Sequence, residues 1–131
     1  MTGRFGIDTS VLVRLTSRQP ESEFLRCVGE LRDLLVGGAE IVASNQVIGE
    51  AYVAIQHHYG VTKVAARATL LDVFESGVVE PLNGEPVLEL LREPGGPGLV
   101  DRLIVDGYSR NDIETLTLDR RMANLPGSRL L

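Results

Sequence analysis

The chain has a single cysteine, Cys27, so an intrachain disulfide is impossible. It has no tryptophan, and aromatics make up only 5% of its 131 residues. Its two histidines, His57 and His58, are adjacent and leave a helix on different sides. With no cysteine pair and no spaced third histidine, the chain lacks the makings of a zinc site. Lysine is nearly absent: Lys63 stands alone against twelve arginines. No apolar run approaches the ~20 residues needed to cross a bilayer. The short apolar stretch after Arg4 has no signal-peptide hydrophobic region behind it, so the expected location is the cytoplasm.

What remains is an ordinary globular composition, 44% hydrophobic and 24% charged. One domain spanning residues 1–131 is expected, long enough for a sizeable core. The formal charge of −5 argues against a broad nucleic-acid footprint, which usually needs a basic surface. Arginine forks nevertheless suit phosphate and carboxylate partners better than lysine does. Cys27 reads as a small apolar residue inside a helix.

Apolar periodicity and breakers alternate strand and helix. Strands are expected over residues 4–7, 40–43, 78–80 and 115–118, with a last edge strand over 128–130. Helices are expected over 10–16, 21–36, 46–58, 85–92 and 99–109, with another capped by Thr62 and running to Phe74. Pro20 precedes the second helix and Gly37-Gly38 stops it. This alternation predicts an α/β fold around a central, mostly parallel sheet. Ligands of such sheets sit outside the carboxyl ends of the strands.

Four acids stand at joints of that pattern: Asp8, Glu50, Asp101 and Asp119. Asp8 follows Phe5-Gly6-Ile7, and Glu50 interrupts Val47-Ile48-Gly49 and Ala51-Tyr52-Val53. Asp101 precedes Leu103-Ile104-Val105, and Asp119 closes Leu116-Thr117-Leu118. A carboxylate beside core residues is costly unless its charge is compensated. No matching set of buried lysines or arginines is visible, and one hard cation, Mg²⁺ or Mn²⁺, compensates several carboxylates at once. Each acid also has a plainer reading. Asp8, Asp101 and Asp119 suit helix starts, and Glu50 suits a solvated helix edge. Thr9, Ser10 and Thr117 offer hydroxyls for hydrogen bonds around the acids. Arg102, Arg110, Arg120 and Arg121 flank the last two acids, placed for RNA phosphate or for an ordinary solvated face. Asp106, Asp112 and Glu114 read as surface charges.

The ordered set resembles the PIN-domain ribonucleases, and most closely the VapC-type toxins of VapBC toxin–antitoxin modules. The resemblance rests on Ile7-Asp8-Thr9-Ser10-Val11-Leu12-Val13, Asn45-Gln46-Val47-Ile48-Gly49-Glu50, Leu99-Val100-Asp101-Arg102-Leu103-Ile104 and Leu116-Thr117-Leu118-Asp119-Arg120-Arg121. Leu118 departs from it, where an aromatic is common. The resemblance implies an αβα sandwich and Mg²⁺- or Mn²⁺-dependent endoribonuclease activity that inhibits translation. It also implies a cognate antitoxin and a homodimer. Asp8 and Asp101 would be primary metal ligands, with Glu50 and Asp119 completing the set.

Metal-assisted RNA hydrolysis needs an acidified water and a stabilised pentavalent phosphate, and carboxylate-bound cations supply both. Independent support for a dimer comes from helices 21–36 and 46–74, whose apolar residues exceed what one small sheet covers. Competing functions lack residues. A phosphoaspartyl phosphatase of the haloacid-dehalogenase kind expects a second Asp where Ser10 stands, and a late lysine. A response-regulator receiver domain lacks that lysine too. A phosphate-binding loop at Gly95-Gly96-Pro97-Gly98 lacks its Lys and Ser/Thr. A non-catalytic binding module with a vestigial acidic site is the remaining alternative.

Overall fold

The structure, a computed structural model, describes residues 3–131. The elements run β1 (Arg4–Gly6), α1 (Thr9–Ser17), α2 (Glu21–Val36), β2 (Glu40–Ala43), α3 (Asn45–Tyr59) and α4 (Lys63–Glu75). They continue with β3 (Glu80–Pro81), α5 (Glu85–Arg92), α6 (Leu99–Ser109), β4 (Thr115–Thr117), a 3₁₀ turn at Met122–Asn124 and β5 (Ser128–Leu130). The alternation makes the chain α/β, and every strand pairing among the described residues is parallel.

The single central sheet expected from sequence is divided. β1, β2 and β3 form one parallel sheet in that order, and β4 pairs with β5 in a second. No ladder joins β1 to β4 among the described residues. Instead β4 packs on α6. Gly127 allows this at the turn into β5: its φ is +88°, and a Cβ there would lie 2.8 Å from Ser109 Oγ. The strand expected over 78–80 is shifted, since only Glu80 and Pro81 pair with β2. Pro81 is tolerated because β3 is an edge strand.

Local chemistry explains the helix starts. Asp8, Ser44 and Thr62 each accept a hydrogen bond from the backbone N–H three residues on, capping α1, α3 and α4. α2 is amphipathic but peripheral: none of its side chains is fully buried. The core gathers Leu12 and Leu15 of α1, Ile48, Ala51, Tyr52 and Ile55 of α3, Leu70 and Phe74 of α4, and Leu99 and Leu103 of α6. Ile41 and Ala43 carry β2 into it. Among the described residues, no helix is long and apolar enough to cross a membrane.

Ile48 lies at the centre of this packing with no exposed surface. Ile48→Ala is expected to lower the free energy of unfolding by about 2–5 kcal/mol through lost burial and the cavity left behind. Val36, 89% exposed, serves as control. Val36→Ala is expected to change stability by less than about 0.5 kcal/mol. Urea melts followed by circular dichroism measure both.

Candidate functional site

β1 and β2 run parallel and in register, Gly6 beside Val42, so their carboxyl ends open on the same side. β1 leads through Asp8 into α1, and β2 leads through Ser44 into α3. One hydrogen bond joins these corners: the Thr9 hydroxyl donates to Glu50 Oε2 at 2.6 Å. Two acids 42 residues apart in sequence therefore belong to one surface corner. Both are exposed. Asp8 Oδ1 accepts from the Ser10 hydroxyl at 2.5 Å and from the Val11 amide at 3.3 Å. These contacts, led by the Ser10 hydroxyl, hold the Asp8 carboxyl below its ordinary range, against a small opposing effect of desolvation.

Asp101 lies in the first turn of α6, half-buried. α6 meets α3 beside Gly49, where an added Cβ would lie 3.7 Å from Leu103 Cδ1 and 3.8 Å from Val100 Cγ2. Thus Glu50 and Asp101 each adjoin a residue of the α3–α6 contact. Asp119 stands just before the 3₁₀ turn: its Oδ1 accepts from the amides of Arg121 at 2.8 Å and Met122 at 3.1 Å. The Thr117 hydroxyl accepts from the Asp119 amide at 3.0 Å. The capping reading of Asp8 is therefore realised, while Asp119 bonds the amides that lead into the 3₁₀ turn.

None of the four acids forms an ion pair among the described residues. Their all-oxygen chemistry suits a hard cation. Their arrangement does not gather one: among the described residues, no three His, Cys, Asp or Glu side chains come close enough to hold a metal ion. The donor set fits in chemistry and not in placement.

The flanking arginines divide. Arg102 is buried, so it is not available for the RNA contact its position suggested. Its guanidinium donates to Glu93 O at 3.1 Å and to Gly95 O at 2.6 Å, pinning the loop before α6. Arg121 donates to Gly96 O in the same loop. Arg110 donates to Asp106 at 3.2 Å, and Arg120 is exposed. The sequence also undervalued Asp106. Its Oδ2 accepts from Asn45 at 2.9 Å, Asn83 at 3.2 Å and Arg110, tying α3, the loop after β3 and α6 together. Asn45 and Asp106 are 61 residues apart, and such a pairing leaves no periodicity to read. Comparison with known proteins returns no matching family model, curated protein or solved structure.

Two measurements follow from these contacts. Ser10→Ala is expected to raise the Asp8 carboxyl toward its ordinary value of 3.8, read by NMR titration of its side-chain carbon. A carboxyl depressed by folding stabilises the protein above its unfolded pKa and loses that contribution as pH falls through its folded pKa. The cost of Ser10→Ala through this linkage is therefore expected at neutral pH and not in strong acid. Arg102→Ala is expected to cost about 1–3 kcal/mol by leaving loop carbonyls unpaired. Faster amide exchange across residues 93–98 is its local readout.

Proposed function

We propose that the chain is an endoribonuclease of the PIN type, with an αβα sandwich as its fold and Mg²⁺ or Mn²⁺ as its cofactor. We place it as the toxin of a type II pair, inhibiting translation until a cognate antitoxin binds. The observation that carries this reading is the Thr9–Glu50 hydrogen bond. It sets a carboxylate of α3 beside the carboxyl end of a parallel strand, where ligands of α/β sheets bind. Asp8 at the same corner is exposed and has no cationic partner among the described residues.

In this reading Asp8 and Asp101 are the principal acids, with Glu50 and Asp119 beside them. Thr9 orients Glu50, Ser10 orients Asp8, and the Thr117 hydroxyl fixes the backbone at Asp119. Arg120 and Arg121 remain candidates for RNA phosphate. The reading requires the acids to draw closer than they stand here. A second reading, a non-catalytic protein-binding module, is favoured by that same separation and by the apolar groove between α3 and α6.

Purified protein incubated with total RNA, with and without Mg²⁺ or Mn²⁺, separates the two. Cleavage that needs the ion and disappears in Asp8→Asn and Asp101→Asn is expected, both variants remaining folded. Thr9→Val is expected to reduce it about 10- to 100-fold, as loss of an orienting hydrogen bond does. Undiminished cleavage by Asp8→Asn, with contaminating nuclease excluded, would sink the proposal. So would calorimetry showing no Mn²⁺ binding.

A further inference from the structure

A second cavity lies at the opposite end of α1 from the Asp8 cap, with about 13 Å of helix between them. None of the four acids lines it. Its volume is about 300 Å³, the lower end of the range for small-molecule sites and the size of a small metabolite. On α2, Phe24, Val28 and Arg32 follow at every fourth position along it. On α4, Thr69, Asp72, Val73 and Ser76 recur on one helical face. Leu15 at the end of α1 and Val78 after α4 complete an apolar lining. The cavity accounts for the peripheral character of α2, whose Phe24 and Val28 are only partly buried against the core.

The polar groups on its wall are of two opposed kinds. Arg18 and Arg32 offer only donors, and ionised Asp72 offers only acceptors. The hydroxyls of Thr16, Thr69 and Ser76 donate their hydrogens to the carbonyls of Val13, Ala65 and Val73 at 2.8, 2.8 and 2.6 Å. What these oxygens have left to offer is lone pairs, so they too are acceptors. Arg18 is held by an aromatic face, its guanidinium 5.8 Å from the centroid of Phe24. Among the described residues, none of Arg18, Arg32 and Asp72 forms an ion pair. Arg32 and Asp72 thus line one cavity with opposite charges that do not meet. A simple anion there would be opposed by Asp72, and a simple cation by the two guanidinium groups. A molecule that carries both charges on an apolar body answers every group on the wall.

We propose that this cavity binds a free apolar α-amino acid, of the size of leucine or phenylalanine. Its carboxylate accepts from the Arg32 guanidinium, a charge-assisted fork contact. Its ammonium donates to Asp72 and to the hydroxyl oxygens of Thr69 and Ser76. Its side chain lies against Phe24, Val28 and Val73, where apolar surface leaves water. The inference rests on neither the four acids nor the nuclease reading.

Titration of the full chain with L-leucine and with L-phenylalanine, followed by amide and methyl NMR, tests the proposal without RNA or metal in the readout. At least one of the two is expected to bind with a Kd of about 10 µM to 1 mM, and to shift signals of Leu15, Val28, Val73 and Val78. N-acetyl-leucine lacks the ammonium, leucinamide lacks the carboxylate, and glycine lacks the apolar side chain. Each is expected to bind about tenfold or more weakly than leucine. Arg32 and Asp72 are exposed, so Arg32→Met and Asp72→Asn are expected to fold as the parent does. Each is expected to weaken binding of the amino acid by about tenfold or more. Should either variant unfold, the three altered ligands carry the test on the unaltered chain. No shift with either amino acid up to about 10 mM overturns the proposal. So does binding of N-acetyl-leucine, leucinamide or glycine as tight as that of leucine, or undiminished binding by a folded Arg32→Met or Asp72→Asn variant.

Discussion

The close approach of α6 to α3 at Gly49 is the constraint on which the arrangement of this chain turns. Leu103 and Val100 stand 3.7 Å and 3.8 Å from where a Cβ of residue 49 would lie. A methyl group would just touch them, and anything larger would push the helices apart. α3 also packs on α1 and α4, so its position relative to α6 fixes where the first half of the chain sits against the second. The Asn45 amide reinforces the contact by donating to Leu103 O at 2.9 Å and to the Asp106 carboxylate. Packing at Gly49 and polar bonding at Asn45 thus act at the same end of one helix pair.

This constraint explains the unusual distribution of apolar residues on α3. Ile48, Ala51, Tyr52 and Ile55 form one stripe, buried in the core. Val53 and Ala54 belong to another, which faces the groove. A helix that is apolar on two sides is expected inside a larger assembly or between layers, not at a free surface. Glu50 falls on the second stripe, which is why it is exposed beside core residues and why a threonine from another element holds it.

The legibility of the chain follows from the range of the interactions that shape it. Helices α2, α5 and α6 match their expected limits because local signals set them: Pro20 and Gly37 at the ends of α2, and the Pro/Gly loop before α6. The caps at Asp8, Ser44 and Thr62 are equally local. Sheet pairing is not local. The alternation of strand and helix predicted one sheet without a strand order, and three-residue strands have too few ladder bonds to enforce a single sheet. The acids divide in the same way. Their places at element joints were readable, and so was the supply of hydroxyls around them. The burial of Arg102 and the three-donor environment of Asp106 were not, because each is created by a loop or helix remote in sequence from the flanking pattern.

The four acids have different supports. Asp8 and Glu50 are joined through Thr9, across the corner between β1 and α3. Asp101 and Asp119 each stand near an arginine that grips one loop. Arg102, next to Asp101, grips Glu93 and Gly95, while Arg121, two residues past Asp119, grips Gly96 of the same loop. The loop between α5 and α6 thus clamps the start of α6 to the turn after β4 through two guanidinium groups. The groove shares Gly49, Val100 and Leu103 with the α3–α6 contact. The groove therefore opens on the same helix pair that carries Glu50 and Asp101.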